Sequence, residues 1–511
     1  MSNVASPPVT AAFGTRVRSA MAWRWGSQVG AQAITWASTL AVVRLLEPSD
    51  YGLFAMTQVV LAALAFLNGY GFATSLIQTD DLSDRRVRQV FGMLLLANGS
   101  LAIAQFFLAP VAAAYYGQPL VADMLRIQAV LFLTTPFIAM PSALLARRIE
   151  FRWQGLVNLI CAVIGGTTAL VLAWFGFGVW ALVYAPIAMF TARGIGLSIA
   201  ARLWVKPVFD FRGAGDIVTF GGALTICQLF WILQSQSDIF IAGRAFSPHE
   251  LGLYSEALFL TLILTGRFLP PVNEVAFPAY SELHKQGTAL APFFTRTVRT
   301  VLLVCAPAYI GLSLVAEPAV LILFGPKWAE MSPIIAGLAL AMPAMAVQIV
   351  CSPATNATGR PHAYLATSAA GAVIFPIGFL IGIGSGPMGL VHAWWVAAPL
   401  LLVITLAVTL PIIKVRMTDL LAQLAPVMLA TGAMAAAVYL VRMAFADMGM
   451  VVELLSAVVA GAVVYGGVLW LVWPHILRET WAMLRHGEAG PTQSPPMPRS
   501  GPQPSADVPA A

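Results

Sequence analysis

The side chains of this chain best suited to chemistry are a few charged groups set inside long apolar runs. Arg24, Arg193 and Arg267 are guanidinium groups among Ala, Leu, Ile and Phe, and Asp238, Glu256 and Glu274 are carboxylates in the same setting. Arginine grips a phosphate through two parallel N–H···O bonds. Arg24 and Arg267 therefore read as a clamp for an anion of that type, with Arg193 as a further cationic candidate. Burial favours the neutral form of a carboxylate, so Asp238, Glu256 and Glu274 read as groups that bind a proton or Na⁺. Plainer readings stand beside these. Arg24, near a helix end, can snorkel to the interface; Arg267 can belong to a structural ion pair; Asp238, near the end of its segment, can be interfacial.

Other chemistries find no footing. The sequence holds no GxxxxGK[ST] loop, no GxSxG elbow, no HExxH spacing and no CxxC pair, so neither a metal nor a bound cofactor is expected. Cys161, Cys227, Cys305 and Cys351 all fall in apolar segments and read as small helix residues.

The elements that must carry the charged groups are helices. Arg24, Gln28, Gln32 (or Ala31), Thr35 and Ser38 advance by three or four positions and share one helix face. Thr225, Gln228, Trp231, Ser235 and Asp238 do the same, and an offset of 200 residues matches Gln28 with Gln228, Thr35 with Ser235 and Ser38 with Asp238. Glu256, Arg267 and Glu274 are separated by spacings that return to nearly one face at about 3.6 residues per turn. An isolated arginine at mid-membrane costs at least about 2.5 kcal/mol on insertion scales, so these faces point to a wet cavity rather than to lipid. Pro270 and Pro271 remove ladder donors beside Arg267 and predict a break or hinge there. Pro136, Pro141, Pro343 and Pro353 predict similar breaks.

The same offset governs a longer motif. Arg44, Pro48, Asp50, Gly52 and Leu53 recur as Arg244, Pro248, Glu250, Gly252 and Leu253. Each copy follows one apolar segment and opens the next. These residues read as structural, each Arg pairing with the acid that follows it to fix an outer turn. Internal duplication of this kind marks transporters that rock two lobes around a central site.

Composition sets the class. Of 511 residues, 59% are apolar and 10% charged, against about 25% charged in soluble domains. Successive apolar stretches each reach the ~20 residues needed to span a bilayer. The expectation is an all-α polytopic membrane protein of about fourteen transmembrane helices, in two repeat-related lobes around a central cavity, with the last two helices appended. The expected organisation is a polar N-terminus (1–19), a first lobe (20–203), a linker (204–215), a second lobe (216–411), the two added helices (424–473) and a tail (474–511) that is Pro/Ser-rich and disordered after 488. Arg85, Arg86, Arg88, Arg147, Arg148 and Arg152 fall on one side and Arg44, Arg126, Arg244, Lys327 and Arg442 on the other. The heavier side is cytoplasmic, which places both termini in the cytoplasm. No cleavable signal peptide is read, and no basic face interleaved with aromatics points to nucleic acid.

On these motifs the chain resembles the bacterial oligosaccharide flippases of the polysaccharide transporter family, within the multidrug/oligosaccharidyl-lipid/polysaccharide exporter superfamily. The resemblance is carried by Arg44–Leu53, Gly178–Leu182, Ser237-Asp238 leading to Gly252–Ala257, Val275–Ser281, Gly325–Trp328 and Gly359–Pro361. Arg147-Arg148 with Phe151-Arg152 is similar to the branch of colanic-acid and lipopolysaccharide exporters. The resemblance implies movement of an undecaprenyl-diphosphate-linked oligosaccharide across a bacterial cytoplasmic (inner) membrane for lipopolysaccharide or exopolysaccharide synthesis. It implies a secondary transporter and no enzyme, with arginines of the first and eighth helices in a cationic cavity. Arg24 and Arg267 then hold the diphosphate while Gln28, Gln228 and nearby aromatics meet the sugars. The partners it implies are the lipid-linked oligosaccharide, membrane lipids, and a polysaccharide polymerase and export machinery.

Three rivals remain open in the sequence. A multidrug exporter on the same fold needs an acidic cavity, which Arg267 opposes. A membrane polymerase or glycosyltransferase needs sizeable outer loops with carboxylates or basic clusters, whereas the only adjacent acid pair, Asp80-Asp81, is on the cytoplasmic side. The third is a non-transporting scaffold in a polysaccharide assembly complex.

Overall fold

The structure is a computed structural model that describes residues 9–65, 67–68, 83–148, 150–202, 206–210, 215–476 and 478–479; within these, the side chains of 9–22, 24–25, 151, 215–229, 361 and 446 lie outside the description. Among the described residues every regular element is a helix. The first half holds α1 (Val9–Leu45), α2 (Pro48–Ala65), α3 (Asp84–Tyr116), α4 (Leu120–Gln128), α5 (Val130–Thr134), α6 (Pro136–Arg147), α7 (Phe151–Trp174) and α8 (Trp180–Ala200). The second holds α9 (Gly215–Ala245), α10 (Pro248–Lys285), α11 (Ala291–Leu314), α12 (Ala316–Leu323), α13 (Ser332–Ala357), α14 (Pro361–Gly382) and α15 (Gly386–Ile413). Then follow α16 (Met417–Phe445) and α17 (Met450–Val472), which pack on each other and on α11 and α12.

Ten helical segments among the described residues are long and apolar enough to cross a membrane. One of them, His362–Ile413, contains both α14 and α15. The segments α1, α2 and α9 fall outside the ten, so the expected fourteen still rests on sequence for those helices. The exterior fits a lipid setting. Phe107, Trp174, Leu471 and Ile381 are 72, 74, 73 and 79% exposed, an exposure that a soluble surface would not sustain in such number. This is a multi-pass membrane protein.

Several proline expectations change. Pro136 does start a new helix, α6, after two short turns. Pro343 and Pro353 lie inside an unbroken α13, and Pro270 and Pro271 inside an unbroken α10 of 38 residues. A long bundle helix can carry proline because neighbours and local adjustment satisfy the freed carbonyls. A neighbour reaches into the ladder of α10 one turn earlier. The Tyr309 hydroxyl of α11 donates to Thr261 O (2.9 Å) and accepts from Thr265 N (3.2 Å), standing where the helix's own bond would run. A side chain inserted in this way is a recognised cause of helix bending.

Close packing follows small residues, as in membrane bundles generally. A Cβ on Gly155 of α7 would lie 2.4 Å from Ser27 Oγ, and one on Gly166 would lie 2.9 Å from Ser38 Oγ. Ser38 therefore faces α7, away from the polar face expected of it. Residues 206–210, inside the expected linker, lie along the start of α3: Val208 N donates to Arg88 O (3.0 Å), Arg88 Nε to Lys206 O (2.9 Å) and Gln89 Nε2 to Asp210 O (2.7 Å). This side of the molecule is called the linker face below, and the side of the Pro48 and Pro248 turns the turn face.

The two copies of the repeat meet each other at the turn face. A Cβ on Gly52 would sit 1.8 Å from Pro248 O, and one on Gly252 would sit 1.7 Å from Pro48 O. The contact is mutual, as a two-fold-related contact must be. It explains the glycine of the motif: α2 and α10 touch backbone to backbone. The motif's proline occupies the first helical turn, where its missing N–H is not needed. Its acid does not pair with its arginine. Asp50 accepts from Glu47 N (3.1 Å), and Glu250 accepts from Ser247 N (3.0 Å) while Ser247 Oγ accepts from Glu250 N (3.3 Å), a capping box. Capping consumes the acids, so the arginines turn elsewhere. Arg44 Nε donates to Leu323 O (2.9 Å) and its Nη2 to Ile322 O, binding orphan carbonyls at the end of α12. Arg244 lies 5.2 Å over the ring of Tyr115 at the end of α3.

Trp328 completes this seam. It is fully buried, donates through Nε1 to Val43 O (3.1 Å) and meets Tyr51 edge-on at 5.3 Å. Beside it Lys327 pairs with Glu47 at 2.9 Å, but both side chains are about half exposed. Trp328→Ala is expected to destabilise the protein by about 3–5 kcal/mol, and Lys327→Ala by less than about 1 kcal/mol. Thermal melting of the purified variants checks the contrast.

Candidate functional site

A cavity of 450 Å³ opens between the two halves, walled by Gln32, Thr35, Trp36, Thr39 and Leu40 of α1 and by Glu256, Phe259, Ile263, Gly266 and Arg267 of α10, with Phe324 closing the turn-face end. Gln32 and Thr35 are one turn apart on α1, so both side chains reach the same wall. Glu256 and Arg267 lie three turns apart on α10 and do the same. The face read from the sequence thus holds for this pair, while Glu274 turns to a second cavity.

Depth along α10 separates the two charges. Glu256 lies about 12 Å and Arg267 about 28 Å from Pro248 at about 1.5 Å per residue. A hydrocarbon core is about 30 Å thick. With Pro248 at one edge of such a core, Arg267 would stand near its linker-face edge rather than at its middle. It is exposed to the cavity, and no ion pair involves it among the described residues. The structural ion-pair reading of Arg267 finds no partner among the described residues. Glu256, 6% exposed, also has no Lys or Arg ion pair among the described residues.

The second cavity, 690 Å³, lies inside the second half between α9, α10, α13, α14 and α15. Its wall includes Trp231, Gln234 and Ser235 of α9 and Asn273 and Glu274 of α10. Gln348 and Asn356 of α13 and Tyr364 of α14 complete it. Leu262 and Gly266 line both cavities, so the two adjoin along α10.

The other expected residues are distributed as follows. The side chains of Arg24 and Gln228 lie outside the described residues, as does that of Cys227. Gln28 is exposed on α1, one turn from Gln32 toward the linker face, and is not among the residues walling either cavity. Arg193 lies between α7 and α8 beside Cys161, with its Nε buried and unpartnered, and walls neither cavity. Asp238 is 1% exposed and saturated: Tyr254 Oη donates to Oδ2 (3.0 Å), Ile239 N donates to Oδ1 (2.8 Å), and Trp394 Nε1 donates on to Tyr254 Oη (3.0 Å). This chain joins α9, α10 and α15 just below the seam, so Asp238 is no interfacial residue. Its repeat partner Ser38 is likewise turned into packing, while Thr35 and Ser235 both face cavities.

Sequence reasoning missed Tyr309, Asn273, Gln348, Asn356 and Tyr364. Asn273 adjoins Glu274 and Pro271, which is a local signal. The others become visible only when α11, α13 and α14 are set against α10.

Comparison with known proteins agrees with this architecture. A family described as "Polysaccharide biosynthesis protein" matches residues 41–333. The succinoglycan biosynthesis transport protein ExoT of Rhizobium meliloti is 28% identical over 337 residues, 66% of this chain and 67% of that one. The lipopolysaccharide biosynthesis protein WzxC of Escherichia coli is 22% identical over 305 residues, 58% of this chain and 60% of that one. The solved structure of the lipid II flippase MurJ in an inward closed conformation superposes with a TM-score of 0.72 at 14% identity, over 89% of this chain and 99% of that one; it shares the fold. The family match covers more than half of the sequence, so the protein belongs to the polysaccharide biosynthesis protein family, the polysaccharide transporter and flippase group that its motifs resemble.

Proposed function

We propose that the protein is a secondary transporter, not an enzyme, that flips a polyprenyl-diphosphate-linked oligosaccharide across the bacterial inner membrane for lipopolysaccharide or exopolysaccharide synthesis, both termini being cytoplasmic. The observation that carries this reading is Arg267: a guanidinium with no ion pair among the described residues, in a cavity between the two halves, on the linker-face side of Glu256. With the Pro248 turn at the outer edge of the hydrocarbon, a diphosphate reaching Arg267 from the linker-face leaflet need not enter the hydrocarbon. The names of the relatives, a transport protein and a lipopolysaccharide biosynthesis protein, and of the fold neighbour, a flippase, support it.

The cavity admits the headgroup while the seam at Gly52 and Gly252 is shut. Arg24 and Arg267 hold the diphosphate, with Gln28, Gln32 and Gln228 as neutral contacts, and the prenyl chain stays in lipid. Arg193 adds positive potential from the first half. Rocking about the seam then exposes the headgroup at the turn face, where a polymerase and export machinery take it up. Coupling to H⁺ or Na⁺ runs through the buried carboxylates. Glu256 is the foremost, since it faces the cavity with no counterion among the described residues; Glu274 faces the second cavity, and Asp238 is held by Tyr254.

Depleting the protein and measuring lipid-linked oligosaccharide by leaflet tests the reading. Build-up on the cytoplasmic face is expected. Normal outward delivery with unpolymerised units would instead indicate a polymerase. Glu256→Gln keeps the shape of the side chain but fixes it neutral, so transport should lose its response to an imposed pH or Na⁺ gradient while substrate binding persists. Uptake assays in proteoliposomes with and without each gradient check this.

A further inference from the structure

We propose that the 690 Å³ cavity of the second half is the sugar subsite of the transported headgroup, and that it selects neutral over acidic sugars. The inference rests on the flippase reading. It adds where the sugars lie and which ones fit.

The wall chemistry sets the ligand class. Among the described residues that line this cavity there is no Lys and no Arg, so it has nothing to hold a diphosphate. It offers instead the aromatic rings of Trp231 and Tyr364 and the amides of Asn273, Gln348 and Asn356. A pyranose presents an apolar C–H face and a rim of hydroxyls that both donate and accept. Aromatic faces suit the first, and amides, which also donate and accept, suit the second. Asn273 Oδ1 is buried without a hydrogen-bond partner, an acceptor left open at this wall. Asn356 spends one N–H on Ser352 Oγ (3.3 Å), and its side-chain carbonyl has no partner among the described residues.

The connection between the cavities gives the order of the headgroup. Gly266 lines both, directly before Arg267. A glycine in a helix interior is unfavourable and normally answers to close packing or to positive φ. Neither applies here: the position is helical, and a Cβ would meet nothing within 4 Å. What the missing side chain preserves is an open sill. A diphosphate on Arg267 can therefore pass its sugars over Gly266 into the second cavity.

Glu274 sets the selectivity. It lines the cavity and forms no ion pair among the described residues. Ionised, it accepts hydrogen bonds from sugar hydroxyls and repels a uronate or another anionic substituent.

Three probes test this on the full-length protein in lipid nanodiscs: farnesyl diphosphate, the same diphosphate bearing a neutral trisaccharide, and the same bearing a terminal glucuronic acid. The neutral glycosylated probe should bind tightest and the uronate probe about tenfold more weakly, a gap that Glu274→Gln narrows. Gly266→Leu and Tyr364→Ala should each weaken the neutral glycosylated probe by about tenfold while moving farnesyl diphosphate by less than about twofold. Arg267→Ala should weaken all three. Retained farnesyl diphosphate binding in Gly266→Leu shows that its loss of the glycosylated probe is not a folding failure, and Gly266→Ala, with the smaller side chain, should lose less. Equal binding of neutral and uronate probes, or an unchanged glycosylated probe in Gly266→Leu and Tyr364→Ala, overturns the sugar subsite. Failure of the wild-type protein to bind any of the probes overturns the flippase reading itself.

Discussion

Gly252→Ala and Gly52→Ala should each leave the protein in the membrane but unable to close its turn face. The added methyl would sit 1.7 or 1.8 Å from a carbonyl oxygen of the opposing helix, and that oxygen belongs to backbone, which cannot swing aside. The two helices must separate. Overpacking of this kind typically costs about 1–3 kcal/mol, and each ~1.4 kcal/mol is tenfold in an equilibrium. The penalty falls only on the state in which the seam is shut, so the population shifts toward the state open at the turn face. Transport should drop by about tenfold or more, and spin-label distances across α2 and α10 should lengthen. Gly26→Ala and Gly99→Ala are controls, because a Cβ at either position meets nothing within 4 Å. Wild-type transport in the Gly52→Ala, Gly252→Ala double variant would mean that the seam does not govern access.

Arg267→Ala should weaken headgroup capture by about tenfold or more at a normal membrane level of protein. A hydrogen bond to a charged group contributes about 1.5–3 kcal/mol, so losing one of them predicts a fall in affinity of about tenfold to a hundredfold, and losing two a larger one. Arg267→Lys keeps the charge and loses the planar fork, and should recover only part. Because Arg267 forms no ion pair among the described residues, the substitution strands no buried carboxylate, and thermal stability should move little. A large loss of stability with intact export would assign Arg267 to the scaffold. The measurement is binding of a prenyl diphosphate together with export in cells carrying each variant.

The repeat was legible because it is local: five residues in one order, twice, at one offset. Its purpose was not, because Arg44 and the carbonyls it binds are 278 and 279 positions apart in the chain. The acids misled for a local reason. Asp50 and Glu250 sit three residues after the residue preceding each helix, and capping that residue's N–H competes with any pairing to the arginine. The face shared by Glu256 and Arg267 followed from helical period alone. The face that included Ser38 failed because Gly166 of α7 draws that side chain into packing, and a glycine on another helix leaves no mark on the periodicity of α1. Pro270-Pro271 was the visible irregularity of α10, but the side chain that reaches its ladder does so at Thr261 and Thr265, from a tyrosine of α11. The sugar-binding wall was hidden likewise: Gln348, Asn356 and Tyr364 are unremarkable in sequence until α13 and α14 fold against α10.

Purified protein in liposomes, supplied with a fluorescent short-chain prenyl diphosphate oligosaccharide in one leaflet, tests the central claim most directly. The account predicts that the probe reaches the opposite leaflet, becoming accessible there to a membrane-impermeant quencher, and that Arg267→Ala reduces the rate to that of empty liposomes. Equal rates in protein-containing and empty liposomes, or full activity in Arg267→Ala, would contradict it.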